Sequence, residues 1–181
     1  YGWLPFDRIE GDSVSKTLEA GVGDDAVARV AQALGRPDLA RAFGERAKSY
    51  RQLFDPETRL MRGRDAQGRW RTPFDPLAVT SPARNPGDYT EANAWQSTLT
   101  PALHDPLGVA ELLGGRTAFG DWLDRFFTLD ANGNVPGHHA SWLYAWTDRP
   151  WQGTLRRRQI ARNFYSTRPD GLPGNDDAGQ L

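Results

Sequence analysis

Asp12-Ser13-Val14-Ser15-Lys16-Thr17-Leu18-Glu19-Ala20-Gly21-Val22-Gly23-Asp24-Asp25-Ala26-Val27-Ala28-Arg29-Val30-Ala31-Gln32-Ala33-Leu34 is the stretch that decides the fold. Its apolar and small residues Val14, Leu18, Val22, Ala26, Val27, Val30 and Leu34 return every three or four positions, the period of one helix face. The spacing predicts an amphipathic helix opening at Asp12 or Ser13, weakened in its middle by Gly21 and Gly23 and stopped by Gly35. Pro37 opens a second helix whose stripe, Leu39, Phe43, Ala47, Tyr50 and Phe54, runs out before Pro56. Two such helices with a tight turn between them make an antiparallel hairpin.

Downstream the pattern shifts once and then returns. Leu60-Met61-Arg62 and Arg69-Trp70-Arg71 flank Asp65-Ala66-Gln67-Gly68 and read as a small β-hairpin. The stretch 72–88 holds Pro73, Pro76, Pro82 and Pro86, and a loop of that length in a compact domain is usually functional. Helical patterns then resume from Thr90 to about Ala102, from Asp105 to Leu113 and from Thr117 to about Phe127. A further helix runs through Trp146, and another from Pro150-Trp151 to Phe164-Tyr165. The Arg156-Arg157-Arg158 run on the last reads as a solvated face. Helix follows helix, and the class is all-α.

Composition excludes several functions. Lys plus Arg number 22 and Asp plus Glu 23, so the net charge of -1 offers no field for nucleic acid or another polyanion. Zero Cys removes disulfides, thiolate metal sites and thiol nucleophiles. No apolar run approaches the roughly 20 residues of a membrane span. The 7 Trp supply flat faces suited to core filling or to stacking on sugar rings.

Three loop-borne segments carry the chemistry. Asp88-Tyr89-Thr90-Glu91-Ala92-Asn93-Ala94-Trp95-Gln96 follows a Pro- and Gly-rich loop, so Thr90 or Asp88 can cap a helix whose first turn carries Glu91. There Glu91 is either a helix-start acid favoured by the macrodipole or a chemical group at a cleft mouth. Near the other end, Asp170-Gly171-Leu172-Pro173-Gly174-Asn175-Asp176-Asp177 holds adjacent carboxylates in a loop that Gly and Pro keep from being helical. Between them stands Asn134-Val135-Pro136-Gly137-His138-His139. These segments resemble the signatures of glycoside hydrolase family 92, the calcium-dependent exo-acting α-mannosidases. Tyr1-Gly2-Trp3-Leu4-Pro5, Ser13-Val14-Ser15-Lys16-Thr17-Leu18-Glu19, Leu53-Phe54-Asp55-Pro56-Glu57-Thr58 and Thr72-Pro73-Phe74-Asp75-Pro76 match the same family in the same order. The resemblance thus covers essentially the whole chain.

What the resemblance implies can be stated residue by residue. The fold would be part of an (α/α)6 barrel with long active-site loops. Residues 1–181 would be a fragment of one helical catalytic domain, within a longer polypeptide that also carries a β-sandwich domain. Glu91 falls at the family's general acid and Asp177 at its general base, in an inverting hydrolysis whose carboxyls flank the bond. Glu91 would need a raised pKa, which burial near Tyr89 and Trp95 would favour. Asn175 stands where many members have a second Asp, and its amide is expected to orient water. Trp95, Asn134, Asp176 and His138 would contact the sugar. A Ca2+ ion would bridge the mannose 2- and 3-hydroxyls beside His138 and His139, which would offer carbonyl oxygen; such ions take six to eight oxygens. Zn2+ or Cu2+ on imidazole is disfavoured, because His104 is the sole further His. Asn134-Val135 replaces a His-Glu pair of α-1,2-acting members, which argues against strict α-1,2 specificity. The partner would be a mannose-containing glycan, an N-glycan or a mannan, and the family implies a secreted or periplasmic enzyme.

Two rivals remain from sequence. A helical-repeat scaffold of tetratricopeptide type explains the stripes around Ala33–Ala47, but no second copy lies about 34 residues on. Another inverting (α/α)6 glycosidase, a glucosidase or trehalase, would also pair carboxylates; the Asn-x-Pro-x-His-His stretch favours the mannosidase.

Overall fold

The computed structural model describes residues 2–79, 87–129, 135–169 and 171, apart from the side chains of 135–138. The chain divides into two compact units, Tyr1–Asp105 and Pro106–Leu181. Both are dominated by helix, as the periodicity predicts.

In the first unit α1 (Ser13–Ala33) runs unbroken through Gly21 and Gly23. It packs against α2 (Pro37–Arg46), which has Pro at its first turn. The reason for Gly21 is proximity: a Cβ there would stand 3.1 Å from the Ala47 carbonyl oxygen. The buried face of α1 differs from its large apolar stripe. Val14 and Leu18 are in the core, but farther along Ala28 and Ala31 are buried while Val27, Val30 and Leu34 are exposed. Small residues let the α2 side of the hairpin come close, and the bulky ones are left facing outward. α2 ends sooner than its stripe suggests. A 3-10 turn, Ser49–Gln52, then carries Tyr50 into the core beside Leu53.

The hairpin occurs one step earlier in the chain than expected. β1 (Phe54–Asp55) pairs antiparallel with β2 (Leu60–Met61), Phe54 opposite Met61 and Asp55 opposite Leu60. The turn is organised by the Asp55 carboxylate, which accepts from Glu57 N at 3.0 Å, Thr58 Oγ1 at 3.0 Å and Arg62 at 3.0 Å. Burial opposes the Asp55 charge, yet these donors outweigh it and hold the carboxyl below its ordinary range. The expected pairing across Asp65-Ala66-Gln67-Gly68 survives as a single bridge between Arg64 and Trp70. The Arg64 guanidinium lies between the rings of Trp3 and Trp70, 4.8 and 4.7 Å from their centroids.

α3 (Ala94–Thr98) packs on β2, with Met61 N donating to Thr98 Oγ1 at 2.8 Å. A 3-10 turn, Thr100–Leu103, follows it. Leu18, Leu53, Leu60 and Leu99 are fully enclosed, each worth about 1.5–3 kcal/mol by apolar burial.

In the second unit α4 (Pro106–Leu112) is closed by Gly114 and Gly115 at φ 94 and 101, with Gly115 N donating to Ala110 O at 2.7 Å. α5 (Arg116–Leu129) buries Phe119, Trp122, Leu123 and Phe126, with Phe127 half-buried beside them. The helix expected after the Asn-rich loop is a 3-10 helix, Val135–Trp146. α6 (Trp151–Phe164) crosses it at Gly153, where a Cβ would stand 2.6 Å from the Ser141 carbonyl oxygen. Of the basic run of α6 Arg158 is exposed, as expected of a solvated face, but Arg156 and Arg157 are half-buried. Arg157 donates to Ser141 O at 3.0 Å and lies 4.0 Å over Trp142, and Arg156 stands 3.5 Å from Asp124. Among the described residues no helix is long and apolar enough to cross a membrane.

Candidate active site

The segment 87–93 is fixed from both sides. Upstream, its main chain serves α1: Ser13 N donates to Gly87 O at 3.2 Å, and Val14 N and Ser15 N donate to Asp88 O at 2.9 and 3.2 Å. Three of the N–H groups that a helix start leaves unpartnered are thereby satisfied. Asp12, left-handed at φ 58, makes no side-chain cap. Gly87, at φ 82, is required by closeness, since a Cβ would stand 2.8 Å from Gly11 Cα.

Asp88 adds its side chain to the same junction. Its carboxylate accepts from Ser13 Oγ at 2.8 Å and pairs with Arg71 Nε at 2.6 Å, with side-chain exposures of 7% for Asp88 and 18% for Arg71. Arg71 lies 3.9 Å over the Phe6 ring. Gly63 leaves room for the carboxylate, because a Cβ at that position would stand 2.7 Å from Asp88 Cγ. Next along, the Tyr89 hydroxyl donates to Met61 O at 2.8 Å. Burial, aided by the Asp88 charge, pushes this phenol well above its ordinary range, so it remains a donor. Thr90 N donates to Ser15 Oγ at 2.9 Å.

Downstream the anchor is Asn93. Its side chain accepts from Gln96 N at 3.0 Å, while the Gln96 side chain accepts from Asn93 N at 3.0 Å, a reciprocal capping box that starts α3. Neither Thr90 nor Asp88 caps this helix, and Glu91 is not in its first turn. Asn93 wins because its partner Gln96 stands three residues on. Glu91 lies between the anchors with φ 48, exposed rather than buried near Tyr89 and Trp95 as expected. Left-handed backbone costs a residue with a Cβ about 1–2 kcal/mol, and such strain persists only where the surroundings impose it. Strained side-chain carriers of this kind cluster at functional sites.

The other expected site residues are distributed as follows. Trp95 is buried on α3 at 6% exposure. His138 and His139 lie in the 3-10 helix Val135–Trp146 of the second unit, His139 half-buried. Asn134, Asn175, Asp176 and Asp177 lie outside the described residues. Among the described residues no group of three or more His, Asp or Glu gathers to hold a metal. A Ca2+ ion needs six to eight oxygens. Residues the sequence reading passed over are Ser13, Gly63 and Arg71, which converge on Asp88.

The sequence matches the model of the glycosyl hydrolase family 92 catalytic domain over residues 1–181. An α-mannosidase of family GH92 from Bacteroides thetaiotaomicron, solved in complex with mannoimidazole, superposes with TM-score 0.87 at 39% identity, covering 99% of this chain and 26% of that one. A family GH92 inverting mannosidase from Bacteroides thetaiotaomicron VPI-5482 superposes with TM-score 0.85 at 30% identity, covering 99% and 27%. An uncharacterized secreted glycosidase of Arthroderma benhamiae is 27% identical over 191 residues, 93% of this chain and 24% of its own length. The chain thus spans about a quarter of the length of these relatives.

Proposed function

The chain belongs to glycosyl hydrolase family 92, and from that premise we propose that the enzyme carrying it is an exo-acting α-mannosidase that removes terminal α-mannosyl residues with inversion. The observation that carries the reading is the likeness to mannosidases over nearly the whole chain, including one bound to mannoimidazole. An all-α fold, the strained Glu91 and its two-sided anchoring agree with it.

In this reading Glu91 gives its proton to the departing glycosidic oxygen as the bond from the anomeric carbon breaks. Asp177 takes a proton from the water that attacks the opposite face, with Asn175 orienting that water. The two carboxyls would stand roughly 6.5–9.5 Å apart to admit it. Asp176, Asn134 and His138 grip the sugar hydroxyls. Trp95, at the start of α3 and 6% exposed, would contact the sugar. When bound beside His138 and His139, Ca2+ would supply a hard cation for the mannose 2- and 3-hydroxyls. Asn134-Val135 disfavours strict α-1,2 linkage. An N-glycan or mannan as substrate and a place outside the cytoplasm, like the secreted relative, complete the proposal.

The test is Glu91→Gln in the intact enzyme. Hydrolysis of unactivated mannosides should fall by about 10²–10⁴-fold, while dinitrophenyl mannosides, whose leaving group needs no proton, are largely spared. Equal loss on both substrates removes Glu91 from the acid role. Appearance of the β-anomer first, followed by NMR, tests inversion.

A further inference from the structure

We propose that Asp88 is a positioning residue for Glu91: its buried carboxylate, gripped by Arg71 and Ser13, fixes where the acid is aimed. The proposal rests on the reading of Glu91 as general acid. The residues that hold Asp88 lie on other elements, 75 positions upstream in the case of Ser13.

The grounds are geometric. Asp88 uses both its carboxylate oxygens and its main-chain carbonyl at once. The first two hold Ser13 Oγ at 2.8 Å and Arg71 Nε at 2.6 Å, and the third takes two N–H groups from the start of α1. A residue tied to a 21-residue helix by its backbone and to a separate loop by its side chain has little freedom to rotate. Two residues later Thr90 is tied to Ser15 on that same helix turn. Glu91 therefore begins from a fixed point and ends at the Asn93 capping box, and its left-handed φ of 48 is what that span imposes. Arg71 neutralises a carboxylate that is only 7% exposed, so the pair keeps a negative charge from standing bare near the acid. Gly63 supports the arrangement by leaving the space the carboxylate fills. A plain structural anchor needs the backbone ties alone; the side-chain grip is an addition that sets orientation.

Asp88→Asn in the intact enzyme tests this. It keeps an oxygen for Ser13 and removes the charge paired with Arg71. Misplacement of a catalytic group by about 1 Å costs about 100-fold, so kcat on methyl α-mannoside should fall by about that factor. On dinitrophenyl α-mannoside the loss should stay under about threefold, and KM should move less than about twofold on either, because proton donation alone is impaired. In a Glu91→Gln background Asp88→Asn should cost nothing further on methyl α-mannoside. Should Asp88→Asn not fold, Ser13→Ala removes one bond and should give the same leaving-group pattern at smaller amplitude. Equal loss on both substrates, additive loss in the Glu91→Gln background, or wild-type kcat on both overturns the positioning role. If Glu91→Gln alone fails to separate the two substrates, the acid assignment falls, and the role of Asp88 with it. If it separates them and Asp88→Asn does not, only the positioning role falls.

Discussion

Gly63→Ala adds one methyl group at the place where the fold leaves no room for it. The new carbon would stand 2.7 Å from Asp88 Cγ and 2.8 Å from Oδ1, against 3.4–4 Å for ordinary contact. The tightest clash is with Oδ2, the oxygen paired with Arg71, so the carboxylate has to retreat by about 1 Å, because the methyl is anchored to main chain and cannot yield. That retreat stretches the 2.6 Å bridge to Arg71 and the 2.8 Å bond from Ser13 together. A hydrogen bond to a charged group contributes about 1.5–3 kcal/mol; with Arg71 18% exposed, water recovers part of it, so about 1.5–2 kcal/mol is expected. Overpacking adds about 1 kcal/mol or more, and the lower chain entropy of Ala returns about 0.5 kcal/mol. The net expectation is a loss of about 2–3 kcal/mol. Calorimetry of the intact enzyme should show a lowered unfolding midpoint, and kinetics should show a loss of kcat concentrated on unactivated substrates. An unchanged midpoint with unchanged kcat would refute the claim that Asp88 is held in one place by its neighbours.

Three further outcomes can be checked. Glu91→Gly should be more stable than Glu91→Ala by about 0.5–1 kcal/mol, since Gly accepts φ 48 without the Cβ penalty of about 1–2 kcal/mol but loses about 0.5–1 kcal/mol more chain entropy, while both variants lose turnover; a Gly variant less stable than the Ala variant shows that no strain resides there. Asp55 has a folded pKa below its unfolded value, so its contribution is complete above about pH 3.9 and disappears as pH falls through the lower folded value. Denaturant midpoints between about pH 2 and 5 should therefore fall less steeply on acidification in Asp55→Asn than in the parent, and parallel curves count against the assigned hydrogen bonds. EGTA should suppress mannoside hydrolysis and added Ca2+ restore it; full activity in excess chelator removes the ion from the proposal.

Helices whose ends are written in Pro and Gly were legible from sequence. The start of α2 at Pro37, the close of α4 at Gly114-Gly115 and the span of α6 from Trp151 follow from local backbone preferences that act within a few residues. Which face is inward was less legible. On α1 the large residues Val27, Val30 and Leu34 advertise a core face, yet Ala28 and Ala31 are the buried ones, because the approach of the hairpin is a tertiary choice. The position of Glu91 failed for a subtler reason. Asp88, Thr90 and Asn93 are all competent caps, and only the Asn93/Gln96 spacing, which completes a capping box, decides among them. The grip on Asp88 was not readable at all, since Ser13, Gly63 and Arg71 come from three distant stretches. The late carboxylates Asp176 and Asp177 owe their assignment to family resemblance.

The junction between the start of α1 and Gly87-Asp88 is made largely of main-chain atoms, with Gly11, Asp12 and Gly87 all at positive φ. Evolution can therefore vary much of the chemistry around it and still keep the joint, provided the backbone torsions survive. In distant relatives its trace should be sought as spaced glycines and small turn-formers ahead of a helix, beside the carboxylate that follows Gly87.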